Sequence, residues 1–231
     1  MIKAEQYYEF IKQYPYAFEN PPGAGIEIVR DKEGIAQIEA AMKARMMEKG
    51  YPEEWCEVGV VFQDAYMTIL RDAVLFQPEN LPGAYIRSFK ADNAPGVVIL
   101  PLWNNKVCLL KIFRHALRRF VFEIPRGFGK KGETDEQNAL RELKEEIGSS
   151  VKTLHNLGYV VENSGLGDAH AALFLAELDS IPKLYEREEG IERIITLPIS
   201  EFLQMISDGV IEDSYTIVAA TRAMLRGYIG K

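Results

Sequence analysis

Residues 127–149, GFGKKGETDEQNALRELKEEIGS, constrain this chain more than any other stretch. Gly127, Gly129 and Gly132 permit backbone conformations, and close approaches to a bound ion or phosphate, that a Cβ forbids. The residues after them predict a helix over 134–147, with Ala139, Leu143 and Ile147 on its buried side at i, i+4 and i+8. A short strand over 120–124 precedes this loop and helix, and strands over 157–162 and 171–178 follow. The helix also carries Glu142, Glu145 and Glu146 at i, i+3 and i+4, a spacing that places neighbouring Cβ atoms ~5–6 Å apart on one face. Three such charges repel one another unless something neutralises them. A hard divalent cation such as Mg²⁺ does so with oxygen ligands. A solvated acidic face offset by Arg141 and Lys144 does so too, and the spacing alone slightly favours that simpler reading.

Elsewhere the pattern mixes helices and strands without simple alternation, which predicts an α+β fold or a mixed-sheet sandwich. Residues 7–16 are aromatic-rich, and Asn20-Pro21-Pro22-Gly23 breaks the chain. Asp31 is a helix cap for 32–49, with Ile35, Ile38, Met42 and Met46 on one face and Gly50 and Pro52 as the stop. Strands are predicted over 58–61, 65–75 and 84–89, with 78–83 as a hairpin connection. Residues 96–102 form a continuous apolar run, the mark of a buried strand, and Asn104-Asn105 turns the chain into a strand over 107–113. Two helices, over 200–207 and 214–228, close the chain. The domain reading is an N-terminal extension over 1–57 and a main domain over 58–231.

Composition narrows the function. The 231 residues are 47% apolar and 26% charged, as in an ordinary globular protein, and no apolar run approaches the ~20 residues that span a bilayer. The first residues, Met1-Ile2-Lys3-Ala4-Glu5-Gln6, lack the apolar segment of a secretory signal. Cys56 and Cys108 are too few for a disulfide framework or a thiolate metal site, so a reducing cytoplasm is expected. A net charge of −7 argues against nucleic acid as partner, while a small phosphorylated substrate stays open through the local cluster Lys111, Arg114, His115, Arg118 and Arg119. On composition alone that cluster reads as a solvated strand end and turn.

The glycine-rich segment as a whole resembles the Nudix signature: Gly, five residues, Glu, seven residues, then Arg-Glu-aliphatic-any-Glu-Glu-any-Gly-aliphatic. Gly127, Glu133, Arg141-Glu142-Leu143, Glu145-Glu146 and Gly148 match it, and Ser149 departs from its aliphatic end. The resemblance implies an α+β Nudix fold, an α/β/α sandwich around a mixed β-sheet, with the N-terminal helical and strand extension added. It implies Glu142, Glu145 and Glu146 as catalytic carboxylates and metal ligands, with the carbonyl oxygen of Arg126 as a further ligand. Mg²⁺ is the expected cofactor, with Mn²⁺ as a substitute. Glu133 and Arg141 are the implied ion pair holding loop to helix.

Outside the box, Ile69-Leu70-Arg71-Asp72, residues 98–102, Phe113-Arg114, Phe122-Glu123-Ile124-Pro125 and Asp213-Ser214-Tyr215-Thr216 look like ADP-ribose pyrophosphatases. That resemblance implies hydrolysis of the diphosphate bond of a sugar-linked nucleoside diphosphate, ADP-ribose first, giving AMP and a sugar phosphate. Arg114, Glu123 and Gly127 become substrate-binding candidates; Arg87 is a weaker candidate, offered only because it ends a strand near this region, and is more simply read as an ordinary surface arginine. The loop after the box lacks the proline that such enzymes often carry, and its acids, Glu162 and Asp168, are the general-base candidates, Asp168 slightly ahead. A homodimer is expected by the same resemblance. The alternatives are a Nudix enzyme acting on nucleoside triphosphates, dinucleoside polyphosphates, coenzyme A or NADH, and a non-catalytic nucleotide sensor. The retained box carboxylates and an N-terminal segment that is not notably basic favour an enzyme.

Overall fold

The computed structural model describes residues 4–90, 95–183 and 190–230. Its contacts divide it into two compact units, one holding residues 4–90 with 163–169, the other holding the remainder.

In the first unit, α1 (Ala4–Gln13), β1 (Ile26–Val29) and α2 (Lys32–Glu48) precede three longer strands, β2 (Gly59–Gln63), β3 (Met67–Phe76) and β4 (Leu81–Lys90). The Asp31 side chain accepts from the Gly34 amide at 2.7 Å, so it caps α2 as its residue type predicts, and Ile35, Ile38 and Met42 are buried. β4 pairs antiparallel with β3 along its whole length, from Met67↔Lys90 to Phe76↔Leu81. β1 and β2 also pair with β3, one after the other, so they share its second edge. The aromatic residues 7–16, given no element from sequence, form α1 and the turn after it. Tyr7, Phe10 and Phe18 bury into a core with Leu70, Ala73 and Phe89. The first compact unit holds β2, β3 and β4 together with the N-terminal helices.

The second unit is a sandwich. Its sheet runs β11 (Ile191–Pro198), β6 (Lys106–Arg114), β5 (Gly96–Trp103), β10 (His170–Leu178), β9 (Val151–Val161). β10 is parallel to β5 and the other pairs are antiparallel, so the sheet is mixed. β5 and β6 pair only beside their turn, at Leu102↔Val107 and Trp103↔Lys106. Beyond it β6 pairs with β7 (Arg119–Glu123) and β5 with the two-residue β8 (Arg126–Gly127). Asn104 and Asn105 take φ of 48° and 59°, the left-handed pair a tight hairpin needs.

Side-chain alternation sorts the core into two layers. Val97, Ile99, Cys108, Leu110, Ala172 and Phe174 pack with Ala139, Leu143 and Ile147 of α3 (Asp135–Ile147). Val98, Leu100, Leu109, Leu173 and Leu175 face the other way, onto α4 (Ile199–Ser207) and α5 (Ser214–Leu225), through Phe202, Ala219, Ala220 and Ala223. This is the α+β sandwich the sequence predicts. The differences are β1, α1 and β11, to which the sequence reading gave no element, and β9, which starts at Val151 rather than 157 because its first half is only partly buried. Among the described residues no helix is long and apolar enough to cross a membrane.

Candidate active site

α3 is prepared at both ends. Thr134 accepts from the Gln137 amide at 3.2 Å while the Gln137 side chain accepts from the Thr134 amide at 2.8 Å, a complete capping box. Gly148 ends the helix at φ +59°, a left-handed conformation suited to glycine. The loop before it is tied down by Asn138, whose side-chain oxygen accepts from the Lys130 amide at 2.9 Å. Arg141 then gathers the box. It reaches Glu133 at 3.4 Å, Glu142 at 2.6 Å, Glu145 at 2.8 Å and the Phe128 carbonyl at 3.0 Å. Burial opposes the Arg141 charge, and its bonds to Glu142 and Glu145 outweigh this and raise its pKa. The expected Glu133–Arg141 pair is therefore one arm of a larger clamp.

Glu142 and Glu146 are buried, at 7% and 4% exposure, whereas Glu145 is partly open. The Glu142 carboxylate lies against the backbone of Gly127, where a Cβ would overlap its carboxyl carbon and both oxygens. Ser149, the departure from the signature, is buried and donates to the Ser180 carbonyl at 3.0 Å, so a hydrogen bond replaces apolar packing at that place.

Beside the box stands a second charged group. Glu123, 1% exposed, is held by Arg114 through two hydrogen bonds and by Arg126 at 3.3 Å. Arg126 also binds Asp213 at 3.1 Å and lies 5.1 Å from the Tyr215 ring centroid. Burial acts against the Arg114 charge, but the Glu123 bond and the charges of Glu123, Glu146 and Asp213 outweigh it. The field of Glu146 at Arg114 ties this group to the box. Thr216 locks the arrangement, since its hydroxyl accepts from the Ile124 amide at 3.1 Å and donates to Asp213 at 2.7 Å. Asp213 caps α5, accepting from the Thr216 amide at 2.8 Å, and is also a partner of Arg126. The basic cluster is locally paired, Lys111 with Glu192 at 2.6 Å, Arg118 with His115 at 2.8 Å and Arg119 with Glu212.

Arg114, Glu123, Arg126, Gly127, Glu142, Glu145, Glu146 and Glu162 thus all fall in the sandwich unit, while Arg87 and Asp168 belong to the first unit. Arg87 is not an ordinary surface arginine. It binds Asp72 and the Ala17 carbonyl and lies 4.9 Å and 5.1 Å from the Phe18 and Phe89 ring centroids. A cavity of about 320 Å³ is lined by Arg87, Tyr16, Tyr85, Phe89 and the loop carrying Asp168.

Among the described residues no three His, Cys, Asp or Glu side chains already converge as an ion cage, and a guanidinium stands between Glu142 and Glu145. The donor chemistry nevertheless fits a hard divalent ion: the box offers oxygen donors alone, and Glu142 occupies a cradle that only glycine leaves open.

The NUDIX domain family model matches residues 92–217. An ADP-ribose pyrophosphatase of Bacillus subtilis (strain 168) is 31% identical over 126 residues, covering 53% of this chain and 68% of that protein. A methanol dehydrogenase activator of Bacillus methanolicus is 27% identical over 187 residues, covering 78% and 97%. A crystal structure of an ADP compounds hydrolase superposes with a TM-score of 0.64 at 17% identity, over 75% of this chain and 95% of that one, which speaks for the fold. Box, sandwich and family match agree: the chain belongs to the NUDIX domain family, whose enzymes generally use divalent metals, and its site is that of a Nudix pyrophosphohydrolase.

Proposed function

We propose that the chain hydrolyses the diphosphate bond of a nucleoside diphosphate linked to a sugar, with ADP-ribose the favoured substrate and AMP and ribose 5-phosphate the products. The observation that carries this is the Glu142 carboxylate seated on Gly127, with the Arg114–Glu123–Arg126 group beside it. The Bacillus subtilis relative, an ADP-ribose pyrophosphatase, supports the substrate. Glu142, Glu145, Glu146 and the Arg126 carbonyl would hold Mg²⁺, or Mn²⁺ in its place. Such an ion supplies positive charge for the diphosphate oxygens and for charge growing on the leaving oxygen.

The chain's own residues do the rest. Arg114, kept charged by Glu123, presents a guanidinium to phosphate, and the bare backbone of Gly127 lets an oxyanion approach. Arg87 is assigned a phosphate or sugar contact through its own unit. Glu162 and Asp168 are the acids available to take the proton of the attacking water. A homodimer in a reducing cytoplasm completes the proposal; both cysteines are buried free thiols, as that compartment allows.

Incubation with ADP-ribose and Mg²⁺, followed by anion-exchange chromatography, tests it. Equal amounts of AMP and ribose 5-phosphate, abolished by EDTA, are expected; intact ADP-ribose after incubation with folded protein overturns it. A second reading, activation of a dehydrogenase, rests on the Bacillus methanolicus relative, nearly all of whose length aligns.

A further inference from the structure

We propose that a groove between α2 and the paired strands β3 and β4 binds a planar aromatic anion, with Trp55 and Phe76 meeting its rings and Arg45, Lys49 and Arg71 its phosphate or carboxylate. All of these residues belong to the first unit, so the inference stands independently of the substrate of the box.

Strand pairing builds the floor. Arg71 is opposite Ile86, Ala73 opposite Ala84 and Leu75 opposite Pro82 across β3 and β4, and alternation puts these pairs on one side of the sheet. Met42, Arg45, Met46 and Lys49 of α2 and its C-cap line the groove with them. They stand at i, i+3, i+4 and i+7, a single stripe of the helix. The stripe starts in the core, where Met42 is buried, and leaves it by Arg45 and Lys49, which are exposed. There a cavity of about 620 Å³ opens, within the ~300–1,000 Å³ usual for small-molecule sites.

Two aromatic rings are fixed in its wall. Phe76 lies across Gly83, where a Cβ would stand 2.5 Å from Phe76 Cε2, so the ring takes that place because residue 83 has no side chain. Trp55 is stacked on Tyr51, ring centroids 5.4 Å apart at 25°. The Tyr51 amide donates to the Met46 carbonyl at 3.0 Å, which ties this pair to the end of α2. Trp55, Phe76, Leu81 and Ile86 each keep more than a third of their surface exposed. Scattered exposed apolar residues are ordinary, but these four line one cavity.

The rim supplies the charge. No Asp or Glu lines the groove, although the chain as a whole carries −7. Arg45 donates through Nη2 to the Pro82 carbonyl, and Arg71 through Nη1 to the Glu54 and Glu57 carbonyls at 2.9 Å and 3.0 Å. These bonds hold both guanidinium groups in place without neutralising them. Neither they nor Lys49 pair with a carboxylate among the described residues. A guanidinium fixed by one nitrogen still offers its other N–H groups to an anion. The cationic rim selects for negative charge, and the flat rings favour a planar body over a flexible chain, which would have to be ordered on binding.

The test titrates an aromatic anion, anilinonaphthalenesulfonate, read by its fluorescence, into wild type, Lys49→Glu, Arg45→Glu/Lys49→Glu and Trp55→Leu, each with a melting curve. Wild type is expected to bind it with an affinity that falls as NaCl rises. Lys49→Glu, an exposed change that leaves the packing alone, weakens binding several-fold, and the double variant weakens it on the order of tenfold or more. Trp55→Leu weakens it about fivefold through lost stacking. Phenylnaphthylamine, the uncharged counterpart, binds about tenfold more weakly than the anion. AMP or indoleacetate displaces the probe, and the stronger of the two separates phosphate from carboxylate as the preferred head group. No binding to the wild type, unchanged binding in the charge variants, or equal binding of phenylnaphthylamine overturns the assignment. So does displacement by neither aromatic anion, or stronger displacement by dodecanoate than by either. A change from dimer to monomer in Arg45→Glu/Lys49→Glu, read by light scattering, gives the groove to a second copy of the chain and overturns it too.

Discussion

The carboxylate of Glu142 fills the space that a side chain on Gly127 would need. The first glycine of the box and the first carboxylate of its Arg-Glu pair are therefore one structural unit, although fourteen positions separate them along the chain. Gly127→Ala must displace that carboxylate. Turnover is expected to fall on the order of 10²-fold or more, as when one group that stabilises developing charge is lost. The strain should cost about 1–3 kcal/mol of stability, small enough for the chain to stay folded. Activity assays beside urea denaturation check this, and near-normal turnover in Gly127→Ala would show that Glu142 need not sit there.

Glu123 offers a thermodynamic cycle. Arg114→Ala leaves a carboxylate that is 1% exposed with Arg126 as its remaining cationic partner among the described contacts. Loss of a charged hydrogen bond of this kind costs about 1.5–3 kcal/mol. Glu123→Gln in the same chain removes the stranded charge, so the double variant should recover much of the stability while remaining a poor enzyme. Denaturation of all four species measures the coupling; fully additive losses would contradict the pairing.

In the N-terminal unit the Tyr7 hydroxyl donates to the fully buried Asp72 at 2.6 Å, and Arg87 binds the other Asp72 oxygen. Burial first, then the Asp72 charge, pushes the Tyr7 phenol well above its ordinary pKa, so it donates throughout the physiological range. Tyr7→Phe should cost about 1.5–3 kcal/mol, and hydrogen exchange across 67–90 should rise with it. Unchanged exchange would mean that Arg87 alone satisfies Asp72.

Burial also raises both thiols, Cys108 up to about 11. The thiolate is the reactive form, so at pH 8 the native protein should react negligibly with a disulfide reagent such as Ellman's. Both thiols should react fully in guanidinium chloride. Rapid native labelling would show that the strand layer around Cys108 opens.

Much of this was legible in the sequence. Ala139, Leu143 and Ile147 at four-residue spacing announce α3 and its buried side, and the run from Val97 to Leu100 reads as the buried strand it is, because both of its faces are covered. Asp31 marks a helix start through side-chain chemistry that needs no tertiary context. The box acids were legible as a set. What was not legible depends on contacts between residues distant in the chain. Asp213 reads as a cap from its local sequence, and only the fold shows it binding Arg126. Arg87 reads as a surface residue until Phe18 and Phe89 are seen beside it. β11 and the first half of β9 have mixed burial, so their strand periodicity is faint.

The most direct test compares kcat/KM with Mg²⁺ across ADP-ribose, ADP-glucose, GDP-mannose, NADH, diadenosine polyphosphates and nucleoside triphosphates, with EDTA and Glu146→Gln as controls. The account predicts metal-dependent turnover highest on ADP-ribose, reduced on the order of 10²–10³-fold in Glu146→Gln while the variant stays folded. Equal turnover by Glu146→Gln, or no turnover of any diphosphate by the folded wild type, would contradict it.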